Sequence, residues 1–357
     1  MNLIQITSLE QPGPDCFTHL TETQLRGGKG GVNCGGTGTG GGSFIAESPN
    51  VILRALEAGL EPLSMLCETG FADAALRSSD NPMRGNNPLR SSDDSRAGND
   101  SRAAENDSPA AEIFRRAGDI PIYVGSPELL SRITGYSLLR GISCEFRRPA
   151  PRTAAEVCGI PAGSDPATPK SHPGAAPSAT PAAHPGAAPS ATLAAPTGAS
   201  AAAPAGTSAR RIAVIHGVVD AANIGAIFRS AAALGIDAIL LSPDSCDPLN
   251  RRTVRTSMGT VFQIPWAIID GPDTVAALHN LGYTTAAMAL RDGALPPDSP
   301  ELQAQEHLAI ILGNEGNGLP QPVIDSSDYV VCIPMSHGVD SLNVAIAGAV
   351  AFYVLRK

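Results

Sequence analysis

The chain has 357 residues, 43% of them hydrophobic, which is enough for two domains with apolar cores. Only 4% are aromatic, with one Trp, so those cores must be aliphatic and rich in Ala. The formal net charge of −9 excludes a protein that holds nucleic acid by bulk electrostatics alone, though not one with a locally basic groove.

Along the chain, Gly27 to Gly42 has the glycine density of a phosphate-binding loop but neither the G-x-x-x-x-G-K-[ST] order nor a preceding hydrophobic strand, and is read as a flexible tract. Ser43 to Gly59 predicts a strand start followed by an amphipathic helix, with Val51, Ile52, Leu53, Leu56 and Leu60 as its apolar members. Leu63–Cys67 and Ile122–Val124 are short buried-strand candidates, and Ser126-Pro127 opens an N-capped helix. Between them, roughly Arg77 to Pro109, a stretch rich in Ser, Asp, Asn and Arg predicts a disordered surface insertion. Residues 1–148 therefore read as a small α/β unit with two insertions. Residues 149–208 are dominated by Ala, Pro, Ser, Gly and Thr and predict a disordered linker. The nonamer HPGAAPSAT occurs there twice, at 172–180 and 184–192, so His172 and His184 are explained by a duplicated spacer without any metal.

From residue 209 to 357, short apolar strands alternate with helical patterns. The strands are expected at Ile212–His216, Ala238–Leu241, Val261–Trp266, Thr284–Leu290, Leu308–Leu312 and Tyr329–Ile333. Helices are expected near 223–234, 249–258, 273–281, 320–326 and 341–356, with Gly235 and Gly282 as helix stops. Continuous apolar strands separated by helices predict an α/β fold built on a parallel sheet covered on both faces.

Three polar clusters interrupt this apolar region where strands end, the place where α/β proteins keep their chemistry. In the first, Asn223-Ile-Gly-Ala-Ile-Phe-Arg229, Asn223 suits an N-cap, Gly225 allows a close backbone approach, and Arg229 is either a functional cation or a surface ion-pair partner. The second, Gly313-Asn-Glu-Gly-Asn-Gly318, follows an apolar strand and places Glu315 at its C-terminal end. Its glycine order is not the dinucleotide fingerprint, which weighs against a nucleotide-dependent oxidoreductase. The third, Ile333-Pro-Met-Ser-His-Gly-Val-Asp-Ser-Leu-Asn343, sets Ser341 and Asn343 in the expected first turn of the last helix, where free N–H groups attract oxygen-rich ligands. Both also suit plain capping, and His337 is either a general base or a solvent-facing loop residue. The Arg251-Arg252-x-x-Arg255 helix is either a phosphate-contact patch or an exposed basic face.

In order and spacing the three clusters resemble the signature motifs of the SpoU (TrmH-type) branch of the SPOUT RNA methyltransferases. The resemblance covers about 209–357, and a weaker one, through Phe44-Ile-Ala-Glu47 and Ile133 to Pro149, links the first unit to the SpoU-associated substrate-binding domain. It implies a deep trefoil knot at the C-terminal end of the sheet, an exception to the rule that chains do not thread, and a small RNA-binding α/β domain before it. It implies S-adenosyl-L-methionine as cofactor, held by Leu290, Gly313, Asn314, Gly318, Ile333, Met335 and Leu342. Methyl transfer to a ribose 2′-OH would be served by Arg229, Glu315, Ser341, Asn343 and Asn223. Partners implied are RNA, ribosomal rather than transfer RNA, and a second copy of the chain into whose site Arg229 reaches. Because guanidinium groups in proteins hold their proton, Arg229 is expected to bind phosphate or stabilise developing alkoxide. The reading from another class is a non-catalytic RNA-binding or ribosome-assembly protein with a vestigial cofactor site.

The seven cysteines (Cys16, Cys34, Cys67, Cys144, Cys158, Cys246 and Cys332) are scattered and lack C-x-x-C spacing, so neither a disulfide framework nor a metal site is expected. With no signal-peptide pattern at Met1 and no apolar run of membrane-spanning length, a cytoplasmic protein is expected, with no membrane partner.

Overall fold

The computed structural model describes residues 2–8, 13–18, 22–26, 42–77, 108–135, 137–160, 210–269, 271 and 273–357. The first unit contains a five-stranded sheet of β1 (Asn2–Gln5), β2 (Ser43–Glu47), β3 (Pro62–Glu68), β4 (Pro121–Gly125) and β5 (Ile142–Arg147), in the order β1-β4-β3-β5-β2. β1, β4 and β3 run parallel; β5 is antiparallel to both β3 and β2. Around it lie α1 (Asp15–Thr18), α2 (Glu22–Leu25), α3 (Pro49–Glu57), α4 (Thr69–Arg77), α5 (Pro109–Ala117) and α6 (Pro127–Thr134), the last capped by the Ser126 hydroxyl. The strand, helix and cap expected from the 43–59, 63–67 and 122–130 patterns are present; β1 and β5 were not foreseen. The core of both glycine-rich and Ser/Asp-rich insertions lies outside the described residues, whereas Gly42, Arg77, Ser108 and Pro109 adjoin or belong to ordered elements.

The expected linker must be shortened. Residues 154–157 form helix α7 (Ala154–Val157), closed by a reciprocal capping box between Thr153 and Glu156. Val157 and Cys158 are buried among Ile212, Val214 and Ala267 of the second unit. Burial also pushes the Cys158 thiol up to about 11, despite its bond to Tyr283. An Ala/Pro-rich composition concealed two residues with something to bury; residues 161–209 lie outside the described set.

The second unit has a wholly parallel six-stranded sheet of β6 (Arg211–Ile215), β7 (Ala238–Leu241), β8 (Trp266–Ile268), β9 (Thr284–Met288), β10 (Leu308–Leu312) and β11 (Tyr329–Val331), ordered β11-β9-β10-β6-β7-β8. Its helices are α8 (Ala221–Ala233), α9 (Arg251–Thr256), α10 (Thr274–Asn280), α11 (Pro300–Ala304), α12 (Gln321–Ser326) and α13 (Val344–Leu355). All five residues of β10 are buried, as a central strand covered on both faces requires. Arg211 is buried too, with its guanidinium donating to the carbonyls of Arg210, Gln305, Glu306 and Leu355, which pins the end of α13 to the start of the sheet.

One expected strand is misplaced. Val261 to Pro265 folds as a 3-10 turn over Thr260–Phe262 and a bend, and the strand starts only at Trp266. Pro265 has no N–H to give a ladder, while its carbonyl accepts from Ile239.

The two units share one apolar core. Phe262 of the second packs on Phe44 of β2 at 5.6 Å between ring centroids, and Phe44 on Phe146 at 5.7 Å. Polar contacts frame it: Arg148 and Arg26 both reach Asp247, and Arg54 donates to the carbonyl of Met258.

Candidate functional site

The C-terminal ends of β9, β10 and β11 open into a cleft of ≈ 400 Å³. It is lined by Met288 to Leu290, Leu312 to Leu319, Ile324 of α12, Val331 to Ile333, Met335, Asp340 to Leu342 and the start of α13. Such a cleft, at the carboxyl ends of parallel strands, is where open α/β sheets bind ligands.

The second cluster is a closed hairpin. Asn314 and Gly318 exchange backbone hydrogen bonds of 3.2 and 2.9 Å, and the Asn314 carbonyl side chain accepts from the amides of Gly316 and Asn317. A Cβ on Gly313 would stand 2.6 Å from Leu319 N, and Gly318 has φ of +67°, so both positions demand glycine for the loop itself. The Asn314 amide donates to Gly217 O at 2.7 Å, tethering the hairpin to the β6–α8 loop. Glu315 is thereby left exposed at the tip.

The first cluster differs from expectation. Helix α8 starts earlier, capped by the Asp220 carboxylate on Ala222 N, and Asn223 sits inside its first turn. Relieved of capping, the Asn223 amide donates to Glu315 Oε1 at 2.7 Å. Gly225 makes its close approach to a neighbouring helix and not to the cleft: a Cβ there would meet Thr253 O and Thr256 Oγ1, both on α9, at 2.7 Å.

The third cluster crosses the cleft without regular structure until Asn343, which caps α13 by accepting from Ala345 N at 3.0 Å and Ile346 N at 3.4 Å. The expected helix start near 341 thus moves to Val344, and Ser341 lies in the loop, on the cleft wall. Since the Asn343 oxygen is used by the cap, its Nδ2 is the atom that faces Asn223 Oδ1, at 3.0 Å. A directed relay results: Asn343 donates to Asn223, and Asn223 donates to Glu315. The Glu315 carboxylate is oriented from one side and left open on the other. His337 is exposed at φ of +60°, a loop residue.

Every expected cofactor residue (Leu290, Gly313, Asn314, Gly318, Ile333, Met335 and Leu342) lines this cleft, as do Glu315 and Ser341. Asn223 and Asn343 join it through the relay. Arg229 does not. It is exposed on α8 and, among the described residues, has no hydrogen-bond or ion-pair partner; six residues past Asn223, it is about 9 Å further along the axis. The sequence reading missed Met288, Ala289, Cys332 and Asp340, which also line the cleft; their signal was adjacency to Leu290, Ile333 and Ser341 in the same strand-to-loop segments. Leu290 is 60% exposed and Leu342 38%, apolar surface at the mouth that a flat, partly apolar ligand would cover. Among the described residues no group of three or more His, Cys, Asp or Glu is placed to hold a metal ion, and no helix is long and apolar enough to cross a membrane.

Comparison with known proteins gives this geometry a context. Residues 210–353 match the model of the SpoU rRNA Methylase family. A tRNA/rRNA methyltransferase of Mycobacterium bovis, itself uncharacterised, is 33% identical over 236 residues, 65% of each chain. A 23S rRNA guanosine 2′-O-methyltransferase of Bacillus subtilis is 34% identical over 149 residues, 42% of this chain and 59% of that one. The chain thus spans less than two thirds of the length of either relative. Two solved structures share the fold: an AdoMet-bound rRNA methyltransferase of Sinorhizobium meliloti (TM-score 0.60, 19% identity, 99% of this chain and 97% of that one) and the SpoU methyltransferase AviRb of Streptomyces viridochromogenes with AdoMet (TM-score 0.54, 18% identity, 88% and 89%).

Proposed function

We propose that the chain is a SpoU-type, S-adenosyl-L-methionine-dependent RNA methyltransferase acting on a ribose 2′-OH, a reading supported by the match of residues 210–353 to the SpoU rRNA Methylase family model. The observation that carries this reading is the relay Asn343–Asn223–Glu315, built from all three clusters, along the edge of a cleft that contains every residue expected to hold the cofactor.

The residues present fit that cofactor. The cleft is large enough for a nucleoside-sized ligand, offers the backbone of the 313–318 hairpin and the 333–342 loop for polar contacts, and has Leu290 and Leu342 as uncovered apolar walls. When bound, S-adenosyl-L-methionine supplies a methyl group on a sulfonium, so that attack by the ribose oxygen leaves a neutral thioether and releases one proton. The rest falls to this chain. Glu315, held by Asn223, offers one carboxylate oxygen to the ribose hydroxyl or to an arginine; Ser341 on the facing wall orients the sugar. The charge that develops on the ribose oxygen needs a cation, which this protomer's own relay lacks.

Arg229 is that cation, delivered by the partner of a homodimer. Supporting the dimer is an apolar strip on α13, where Ile346 (55% exposed) and Tyr353 (56% exposed) stand two turns apart on one side of a helix that packs against α8. The two cleft loops, 313–318 and 333–343, are the segments we assign to a trefoil knot. The first unit is assigned to RNA binding, and ribosomal RNA is favoured over transfer RNA by the Bacillus relative's substrate. The cytoplasm is the proposed setting. The intact cleft and relay weigh against a vestigial site. Arg229→Ala should abolish transfer of labelled methyl to RNA while sedimentation still reports a dimer; undiminished transfer would remove Arg229 from the chemistry.

A further inference from the structure

Helix α9 lies beside the site. Thr253 Oγ1 donates to Ala221 O at 3.1 Å, and the α9 backbone fills the space beside Gly225. The first turn of α8, which carries Asn223, therefore rests on α9. On its other side α9 meets β2 of the first unit, where Arg251 Nε stands 3.4 Å from Glu47 Oε1 and Arg255 Nη1 3.9 Å from Glu47 Oε2. Glu47 is buried. One carboxylate thus faces two guanidiniums. Arg252 adds another: it is exposed and, among the described residues, in no ion pair. The side chain of Arg255 keeps 51% exposure. Both readings of the basic helix were therefore incomplete, since Arg251 fastens the two units while Arg252 and the outer edge of Arg255 stay open.

We propose that this junction is a contact surface for the phosphates of the RNA backbone, with Arg252 and Arg255 as the contacts and Arg251, held by Glu47, as their support. It rests on the methyltransferase reading and adds a path for the substrate. On a body of net charge −9, long-range attraction does not deliver RNA, so cationic contacts must stand where the strand passes. The planar fork of arginine matches phosphate oxygens. Helix α9 lies between β2 of the first unit and the first turn of α8, on a route from the first unit to the cleft beside Asn223.

The test uses the full chain and fluorescein-labelled oligouridine RNA, followed by anisotropy through a salt series. Arg252→Glu, at an exposed position, should weaken binding several-fold and reduce the slope of log affinity against log salt by about 0.7; Arg252→Glu with Arg255→Glu should reduce it by about 1.4. Arg252→Lys with Arg255→Lys should keep the slope. Calorimetric binding of S-adenosyl-L-methionine and the sedimentation mass should not change. An unaltered slope in Arg252→Glu, no binding of oligouridine by the wild type, or a changed mass that marks the face as a subunit contact would each overturn the proposal. A wild-type protein that binds RNA with the expected slopes but transfers no methyl would sink the methyltransferase reading and leave the junction standing.

Discussion

Replacing Asn343 separates its two duties. Its oxygen caps α13 through Ala345 N and Ile346 N, and its amide donates to Asn223, which donates to Glu315. Asn343→Ala loses both. The cap alone is worth about 1 kcal/mol, which for a unit of this size lowers the melting temperature by roughly 2–4 °C. Asn343→Asp keeps the cap, and a carboxylate at a helix N-terminus adds about 0.3–1 kcal/mol. It nevertheless has no hydrogen to donate. The Asn223 amide then turns towards the new carboxylate and presents its oxygen to Glu315, where a donor stood at 2.7 Å. A hydrogen bond to a charged group is worth about 1.5–3 kcal/mol; at this exposed site the lower figure applies, equivalent to roughly a tenfold fall in rate. The assay pairs a thermal melt with the initial rate of labelled methyl transfer to RNA. Asn343→Asp should melt at or above the wild-type temperature yet transfer about tenfold more slowly, while Asn343→Ala should lose stability and rate together. Wild-type turnover in Asn343→Asp would refute the relay.

Two further outcomes concern the scaffold. Gly225→Ala, normally favourable by about 1 kcal/mol in a helix interior, should here destabilise by about 1–3 kcal/mol in urea denaturation, because the new methyl meets the Thr253 carbonyl at 2.7 Å. At the opposite end of the sheet, Asp328 accepts from Thr285 N, Thr285 Oγ1 and His279 Nε2. Burial by itself would raise its pKa, but these bonds outweigh it and hold the carboxyl below its ordinary value. Its folded pKa being the lower one, the stabilisation is complete above the unfolded value of about 4 and is lost as pH falls through the folded value. Asp328→Asn should therefore cost stability at neutral pH, with the difference from wild type shrinking in acid; a gap constant from pH 7 down to pH 3 would contradict this.

The alternation of apolar runs with helical patterns determined the parallel sheet, because a strand buried on both faces has to be apolar throughout, as Leu308–Leu312 is. The same local chemistry marked Gly235 and Gly282, both at positive φ behind their helices, and drew attention to the three clusters. Tertiary structure decided what those residues do. Asn223 looked like a cap until Asp220 took that duty, and Gly225 looked ligand-facing until α9 came to lie against it. Arg251 and Arg255 were a solvent-or-phosphate choice until Glu47, some 200 residues earlier, was brought beneath them. Val157 and Cys158 were hidden in a linker until a second unit offered them a core. Local periodicity reports which face of an element must be buried. It carries no record of which distant side chain will meet that face, and in this chain a single relay joins Asn343, Asn223 and Glu315 from three separate strand ends.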